Sequence, residues 1–262
     1  MSPGFGITIL SCRAILCKTG IVRIHYIQHE KFETPGSILD WAERQGHPVT
    51  RTLIYLQDAG KVQGNGEAAL PAMKDFDWLV IMGGSMNVYE EDKYHWLTVE
   101  KRFIAEAVRA GKTVLGLCLG AQLLAAVLGG RVTRNQYREI GWHPVRLTGA
   151  ARENPCLSFL PEEPVVFQWH GDTFSELPPG ALLLAESEAC AHQAFVYGER
   201  VFAFQFHMEN TGSILRGLVE NCAGELTPET YVQNPAELLA HPECIGACEK
   251  WMDEFLTRLA AL

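Results

Sequence analysis

The sequence predicts an α/β fold: an open, mostly parallel sheet flanked by helices, with an antiparallel strand section appended. Three observations carry this. Apolar, β-branched runs at residues 22–27, 49–56, 78–82 and 112–115 alternate with helical patterns across the first half. Two of those runs stop at glycine, at Gly83-Gly84 and at Gly116. Beyond Gly130 the pattern changes to short strands split by Pro and Gly.

Taken in order, residues 22–27 alternate as a strand, Thr34-Pro35-Gly36 is a turn, and residues 37–44 read as a helix broken by Gly46-His47-Pro48. Residues 49–56 form a second strand and 58–65 a polar loop. Residues 78–82 are a buried strand. A helix spans 96–110 with Val99, Phe103, Ala107 and Val108 on one face. The strand at 112–115 leads through Gly116-Leu117-Cys118-Leu119-Gly120 into a helix that ends at Gly129-Gly130. Residues 141–147, 165–169, 181–184, 192–197 and 201–206 are short strands, 212–221 a helix, and 235–262 a helical tail broken around 242–246. No repeat, linker or low-complexity tract divides the chain. The expected organisation is an extension over 1–20, one domain over 21–222, and a tail over 223–262 packed on it.

The 262 residues suit one large α/β domain, and 47% hydrophobic content against 20% charged supports a sizeable core. A net charge of −9 without a basic stripe argues against nucleic acid or an anionic membrane as partner. Eight irregularly spaced cysteines do not form a disulfide framework, which points to a reducing cytoplasm. No apolar run reaches the length of a membrane span. Residues 1–20 contain apolar stretches, but Arg13 interrupts them and nothing basic precedes them, unlike a secretory signal.

Cys118 falls on a sharp strand-to-helix turn with glycine two residues away on each side, the pattern of a nucleophile elbow with a thiol in place of a hydroxyl. The helix N-terminus behind it is expected to lower the thiol pKa. A nucleophile needs a base, and the apolar run 203–206 delivers His207-Met208-Glu209 at its carboxyl end. His207 and Glu209 are two apart, so in extended backbone they project to the same side. Gly83-Gly84 and Leu119 supply backbone N–H groups for an oxyanion. Three other groupings stand out less: His241, Cys244 and Cys248 near the C-terminus, Cys190 with His192, and the acidic run Glu90-Glu91-Asp92. Core packing or a solvated surface accounts for each, and no metal site is expected. Gly64-Asn65-Gly66 lacks a P-loop lysine.

The chain resembles the class I glutamine amidotransferases of the triad type. Gly83-Gly84-Ser85-Met86, residues 116–122, Trp169-His170-Gly171-Asp172 and Gln205-Phe206-His207-Met208-Glu209 carry the resemblance over about residues 21–222. It is most like stand-alone proteins similar to the amidotransferase part of GMP synthase. The resemblance implies a flavodoxin-like sheet and a Cys118–His207–Glu209 triad that cleaves the glutamine side-chain amide through a glutamyl thioester. It also implies oxyanion donors at Gly84 and Leu119, substrate contacts at Gln122, Gly171 and Asp172, no cofactor, and a separate synthetase or acceptor subunit for the ammonia. Met208 and Ser85 stand where the family commonly has proline. A γ-glutamyl peptide or amide hydrolase with the same triad, and a silent regulatory subunit, are the alternatives.

Overall fold

The computed structural model describes residues 20–58 and 69–262. All but the last residue of the extension expected over 1–20, and most of the loop at 58–65, lie outside them. Strand β1 (Ile24–Gln28) leads to α1 (Ser37–Gln45), β2 (Val49–Leu53) and a short α2 (Tyr55–Asp58). Then follow β3 (Trp78–Ile81), α3 (Trp96–Arg109), β4 (Thr113–Leu117) and α4 (Leu119–Val127). The second half holds β5 (Arg131–Pro144), β6 (Arg146–Leu147), α5 (Gly149–Glu153), β7 (Val165–Glu176), β8 (Ala181–Glu186), β9 (Ala194–Tyr197) and β10 (Val201–Phe204). Helices α6 (Gly212–Asn221), α7 (Pro235–Leu239) and α8 (Pro242–Leu259) close the chain.

The main sheet has eight strands in the order β2-β1-β3-β4-β10-β9-β8-β6. Neighbours from β2 to β10 are parallel, and β9, β8 and β6 continue the sheet antiparallel. A separate antiparallel pair, β5 with β7, stands off this sheet. The expected fold class therefore holds, with the antiparallel section divided between the sheet edge and the two-stranded arm.

Period-2 side-chain alternation gives the parallel strands two buried faces. Trp78 and Val80 of β3 join α1, α6 and α8 in one core, in which Trp41, Leu215, Phe255 and Leu256 are at most 1% exposed. Leu79 and Ile81 face the other way into a core with α3 and α4. The C-terminal helix is tied to the domain by this packing. The Trp41 indole donates to the Thr257 hydroxyl at 3.0 Å, and the Phe202 and Phe255 rings meet edge to face at 5.2 Å.

Some elements differ from expectation. Val99 is 54% exposed, and the inward stripe of α3 is Trp96, Leu97, Glu100, Phe103, Ile104 and Ala107. The strand expected at 141–147 begins ten residues earlier, at Arg131. The strand expected over 165–169 runs on to Glu176, so Gly171 and Asp172 lie within β7. The second strand stops at Leu53 and turns into α2.

Candidate active site

Three neighbouring strands, β3, β4 and β10, end at the same edge of the sheet, and the chain beyond each end carries a group singled out by sequence. In open α/β sheets this carboxyl edge is where ligands bind. Cys118 follows β4 at φ +51°, and it is the sole non-glycine with positive φ among the described residues. A strained residue of this kind persists only where its surroundings hold it. Two contacts do so: the Cys118 N–H donates to Phe204 O at 2.8 Å and the Gln122 N–H to Cys118 O at 3.0 Å. The flanking glycines are required by contact. A Cβ on Gly116 would fall 2.5 Å from Gly120 O.

His207 lies beyond β10, its backbone locked to Phe167 of β7 by two hydrogen bonds of 2.8 and 3.3 Å. Its Nδ1 lies 2.5 Å from Glu209 Oε1, and the second Glu209 oxygen accepts from the Met208 N–H at 3.1 Å. Both side chains are buried. Cys118 and His207 line the same cavity and each shifts the pKa of the other, while the Cys118 thiol donates to Trp169 O at 3.5 Å. The structure thus brings Cys118, His207 and Glu209 together.

The electrostatics depart from expectation at the sulfur. Burial pushes the Cys118 thiol up, and the hydrogen bonds from His207 and the Leu119 N–H pull it down by less, so the pKa is raised, not lowered by the helix N-terminus. For His207, burial lowers the pKa, while the Glu209 charge and the bond to Cys118 outweigh it and raise it well above the usual imidazole value. The rise at His207 includes attraction to an ionised Cys118, so a proton passed from the sulfur to the imidazole is held there.

A cavity of about 300 Å³ opens over the sulfur. Its wall includes Gly84, Gln122, Gly171, Asp172 and His207. Gln122 donates to Asp172 O at 3.1 Å and to Gln205 Oε1 at 3.2 Å, and the Gln205 amide reaches Cys118 Sγ at 3.7 Å. The Leu119 N–H, at the start of α4, lowers the Cys118 pKa.

Sequence reasoning missed several lining groups. Glu33, from the turn before α1, lies against Gly83 and within the field of His207; burial pushes its carboxyl up to about 7. Arg134 and Arg138 of β5 also line the cavity, and the Tyr89 hydroxyl donates to Asp172 Oδ2 at 2.7 Å. None of these positions has a local signature, because each is brought to the cavity by tertiary pairing. His170 lines the cavity too and contacts the buried Glu139 carboxylate at 3.1 Å.

Glu139, His170 and Cys190 offer donor atoms within 4.8 Å of one another. The Glu139 oxygens, however, already accept from Ser187 at 2.8 Å and Gln193 at 2.6 Å, and burial holds the Cys190 thiol up at about 11. The cluster reads as a satisfied polar network. The His192 ring is not part of it and bonds to Phe174 O, while its backbone carbonyl accepts from Cys190 Sγ at 3.3 Å. His241 and Cys244 approach each other with Glu243, whereas Cys248 is buried and points to Val165 O. The acidic run Glu90-Glu91-Asp92 precedes α3, where Glu91 pairs with Lys101.

Fold and site define an α/β protein that presents a thiol on a strand-to-helix elbow beside a buried imidazole–carboxylate pair. Residues 46–222 match the family described as glutamine amidotransferase class-I, and the chain belongs to that family. It is 35% identical over 225 residues to YfeJ of Salmonella typhimurium, described as glutamine amidotransferase-like; the match covers 84% of this chain and 90% of that one. It is 28% identical over 207 residues to the glutamine-hydrolyzing GMP synthase of Macrococcus caseolyticus, covering 75% of this chain and 38% of that protein. The crystal structure of a glutamine amidotransferase from Thermotoga maritima superposes with a TM-score of 0.79 at 31% identity, covering 92% of this chain and 99% of that one.

Proposed function

We propose that the chain hydrolyses the side-chain amide of glutamine and passes the ammonia to a separate acceptor subunit. The observation that carries this reading is Cys118, on a backbone held at positive φ, facing one cavity with His207, whose ring is held by Glu209. Cys118 Sγ attacks the amide carbon while its proton passes to His207. The oxygen takes the electron pair and is met by the Gly84 and Leu119 N–H groups. Collapse breaks the C–N bond, His207 protonates the departing nitrogen, and ammonia leaves a glutamyl thioester. Water, deprotonated by His207, then cleaves the thioester to glutamate and restores the thiol. Glu209 fixes the imidazole orientation and stabilises its charged form.

The cavity wall supports an amino-acid substrate. It carries cations at Arg134 and Arg138 and an anion at Asp172, which together complement a zwitterion. Gln122 and Gly171 complete the proposed substrate contacts. The six cysteines among the described residues carry no disulfide, which suits a reducing compartment such as the cytoplasm. No helix among the described residues is long and apolar enough to cross a membrane. The end of the family match at residue 222 and the packing of α8 into the core support an amidotransferase domain over 21–222 with a tail over 223–262 packed on it.

The test is glutamate release from glutamine and from γ-glutamyl dipeptides by the purified chain. Glutamine turnover that Cys118→Ser abolishes is expected. Faster cleavage of the dipeptides would replace the acceptor-subunit reading with a γ-glutamyl amide hydrolase. No turnover together with no labelling of Cys118 by a glutamine-analogue diazoketone would overturn both, leaving the silent subunit.

A further inference from the structure

Behind the Gly83-Gly84 turn lies a buried ion pair that the steps above do not use. His29 immediately follows β1, and Glu100 stands on the inward face of α3; both side chains are fully buried, at 0% exposure. His29 Nε2 lies 2.9 and 3.2 Å from the two Glu100 oxygens, and Nδ1 lies 3.1 Å from Gly83 O. A carbonyl oxygen only accepts, so Nδ1 carries a proton and donates it to Gly83. Burial alone lowers the His29 pKa, but the Glu100 charge and hydrogen bond, with smaller help from Glu33 and Gly83, outweigh it and leave it raised.

We infer that His29 and Glu100 are a positioning pair for the oxyanion donor, holding the Gly83–Gly84 peptide so that its N–H faces the cavity. The inference rests on the glutamine-hydrolysis reading above. Gly83 C=O and Gly84 N–H belong to one peptide group. In a trans peptide they point in opposite directions. With the carbonyl drawn inward to His29, the N–H is turned outward, and Gly84 lines the cavity. Two successive glycines would otherwise let this peptide rotate at little steric cost. Rotation would aim carbonyl lone pairs, instead of an N–H, at the developing oxyanion. The bond accepted by Gly83 O also polarises the amide and makes its N–H a stronger donor, an effect enlarged where water is excluded.

The surroundings fix the ring that does the holding. Its plane lies against Trp96, with centroids 5.6 Å apart, and a Cβ on Gly84 would fall 2.8 Å from His29 Cβ. The device therefore runs from α3 through His29 to the end of β3. Neither residue touches the cavity, so each acts through the Gly83–Gly84 peptide.

The test separates oxyanion stabilisation from general integrity of the site. Glutamate γ-semialdehyde adds to Cys118: sulfur bonds to the aldehyde carbon, the carbonyl pair moves to oxygen, and the thiol proton follows through His207. The resulting oxygen occupies the oxyanion position. Iodoacetamide alkylates the same sulfur with loss of iodide and needs no oxyanion site. Two variants are compared with the intact wild-type chain: Glu100→Gln, and the double replacement His29→Leu with Glu100→Leu, which leaves no unpaired buried charge.

In the double variant kcat for glutamine and aldehyde affinity are both expected to fall about 10- to 100-fold, short of the loss of the donor itself. KM and the alkylation rate are expected to stay within about threefold, the pattern of a group felt mainly in the transition state. Glu100→Gln, which keeps His29, should lose less. Unchanged kcat and aldehyde affinity in the double variant would overturn the assignment, as would a fall in alkylation parallel to kcat. A wild-type chain that neither releases glutamate nor binds the aldehyde overturns the hydrolysis reading itself, an outcome visible before any variant is made.

Discussion

Gly120 passes so close to Ile81 that a Cβ on it would lie 2.1 Å from the Ile81 carbonyl oxygen. The contact joins the first turn of α4 to the end of β3, and so sets the spacing between the sulfur and the Gly83-Gly84 turn. The obstructing atom is backbone, which cannot swing aside as a side chain can. Gly120→Ala is therefore expected to destabilise the chain by about 1–3 kcal/mol, the usual range for overpacking, and to lower glutamine turnover by displacing α4. Denaturant unfolding followed with activity checks it. A variant of wild-type stability would mean that α4 moves freely against β3.

Glu209 has no role in the proposed chemistry apart from His207, which it meets at 2.5 Å. Glu209→Gln keeps the volume but removes the charge that favours the imidazolium. The expected result is a loss in kcat of about 10²–10⁴-fold with KM little changed, as for other carboxylates that orient a catalytic imidazole. Steady-state kinetics on glutamine decide it. Equal kcat in variant and wild type would show that Phe167 alone holds the ring in place.

These two sites were legible in the sequence because their signals are local. Glycines two residues either side of Cys118 mark the elbow, and i, i+2 spacing at a strand end puts His207 and Glu209 side by side. What stayed hidden depends on distant partners. Glu100 interrupts the apolar stripe of α3, so the pattern put Val99 inward, although His29 is what draws the carboxylate into the core. The first ten residues of β5 do not alternate, because the arm is half in solvent and is specified by pairing with β7. Glu33 belongs to a turn after β1, and its partner His207 follows β10, three places along in the sheet order. The raised Cys118 pKa was unreadable for a related reason: the helix N-terminus is a local feature, whereas burial comes from the whole fold.

Glu33 gives a pH dependence with a definite sign. Its carboxyl is raised from 4.5 to about 7, chiefly by burial, with the nearby His207 charge opposing and Glu30 assisting. Between those values the unfolded chain releases a proton that the folded chain keeps, so stability falls as pH rises through the window and levels off above 7. Glu33→Gln has no proton to lose. From pH 5 to pH 8 the variant should gain on wild type by up to about 3 kcal/mol, at 1.36 kcal/mol per pKa unit. Urea unfolding at the two pH values measures it. A gap independent of pH would place the folded Glu33 pKa near its ordinary value.

Asp172 separates binding from turnover. It is 8% exposed, lines the cavity, and accepts from the Tyr89 hydroxyl, whose pKa is in turn pushed up to about 12 by that bond. One carboxylate oxygen is thereby taken up, leaving the other for the α-ammonium group of glutamine, remote from the amide that reacts. A charge-assisted hydrogen bond of about 1.5–3 kcal/mol to a non-reacting group is present equally in ground and transition states. Asp172→Asn should accordingly raise KM for glutamine about 10- to 100-fold with kcat nearly unchanged. Tyr89→Phe, which only frees the orienting bond, should raise KM by a few fold. Kinetics with glutamine and with a deaminated analogue lacking the α-amino group decide the point. On the analogue, Asp172→Asn and wild type should perform alike. If kcat falls while KM holds, Asp172 acts on the reacting amide and not on the substrate's far end, and the direction assigned to glutamine in the cavity must be reversed.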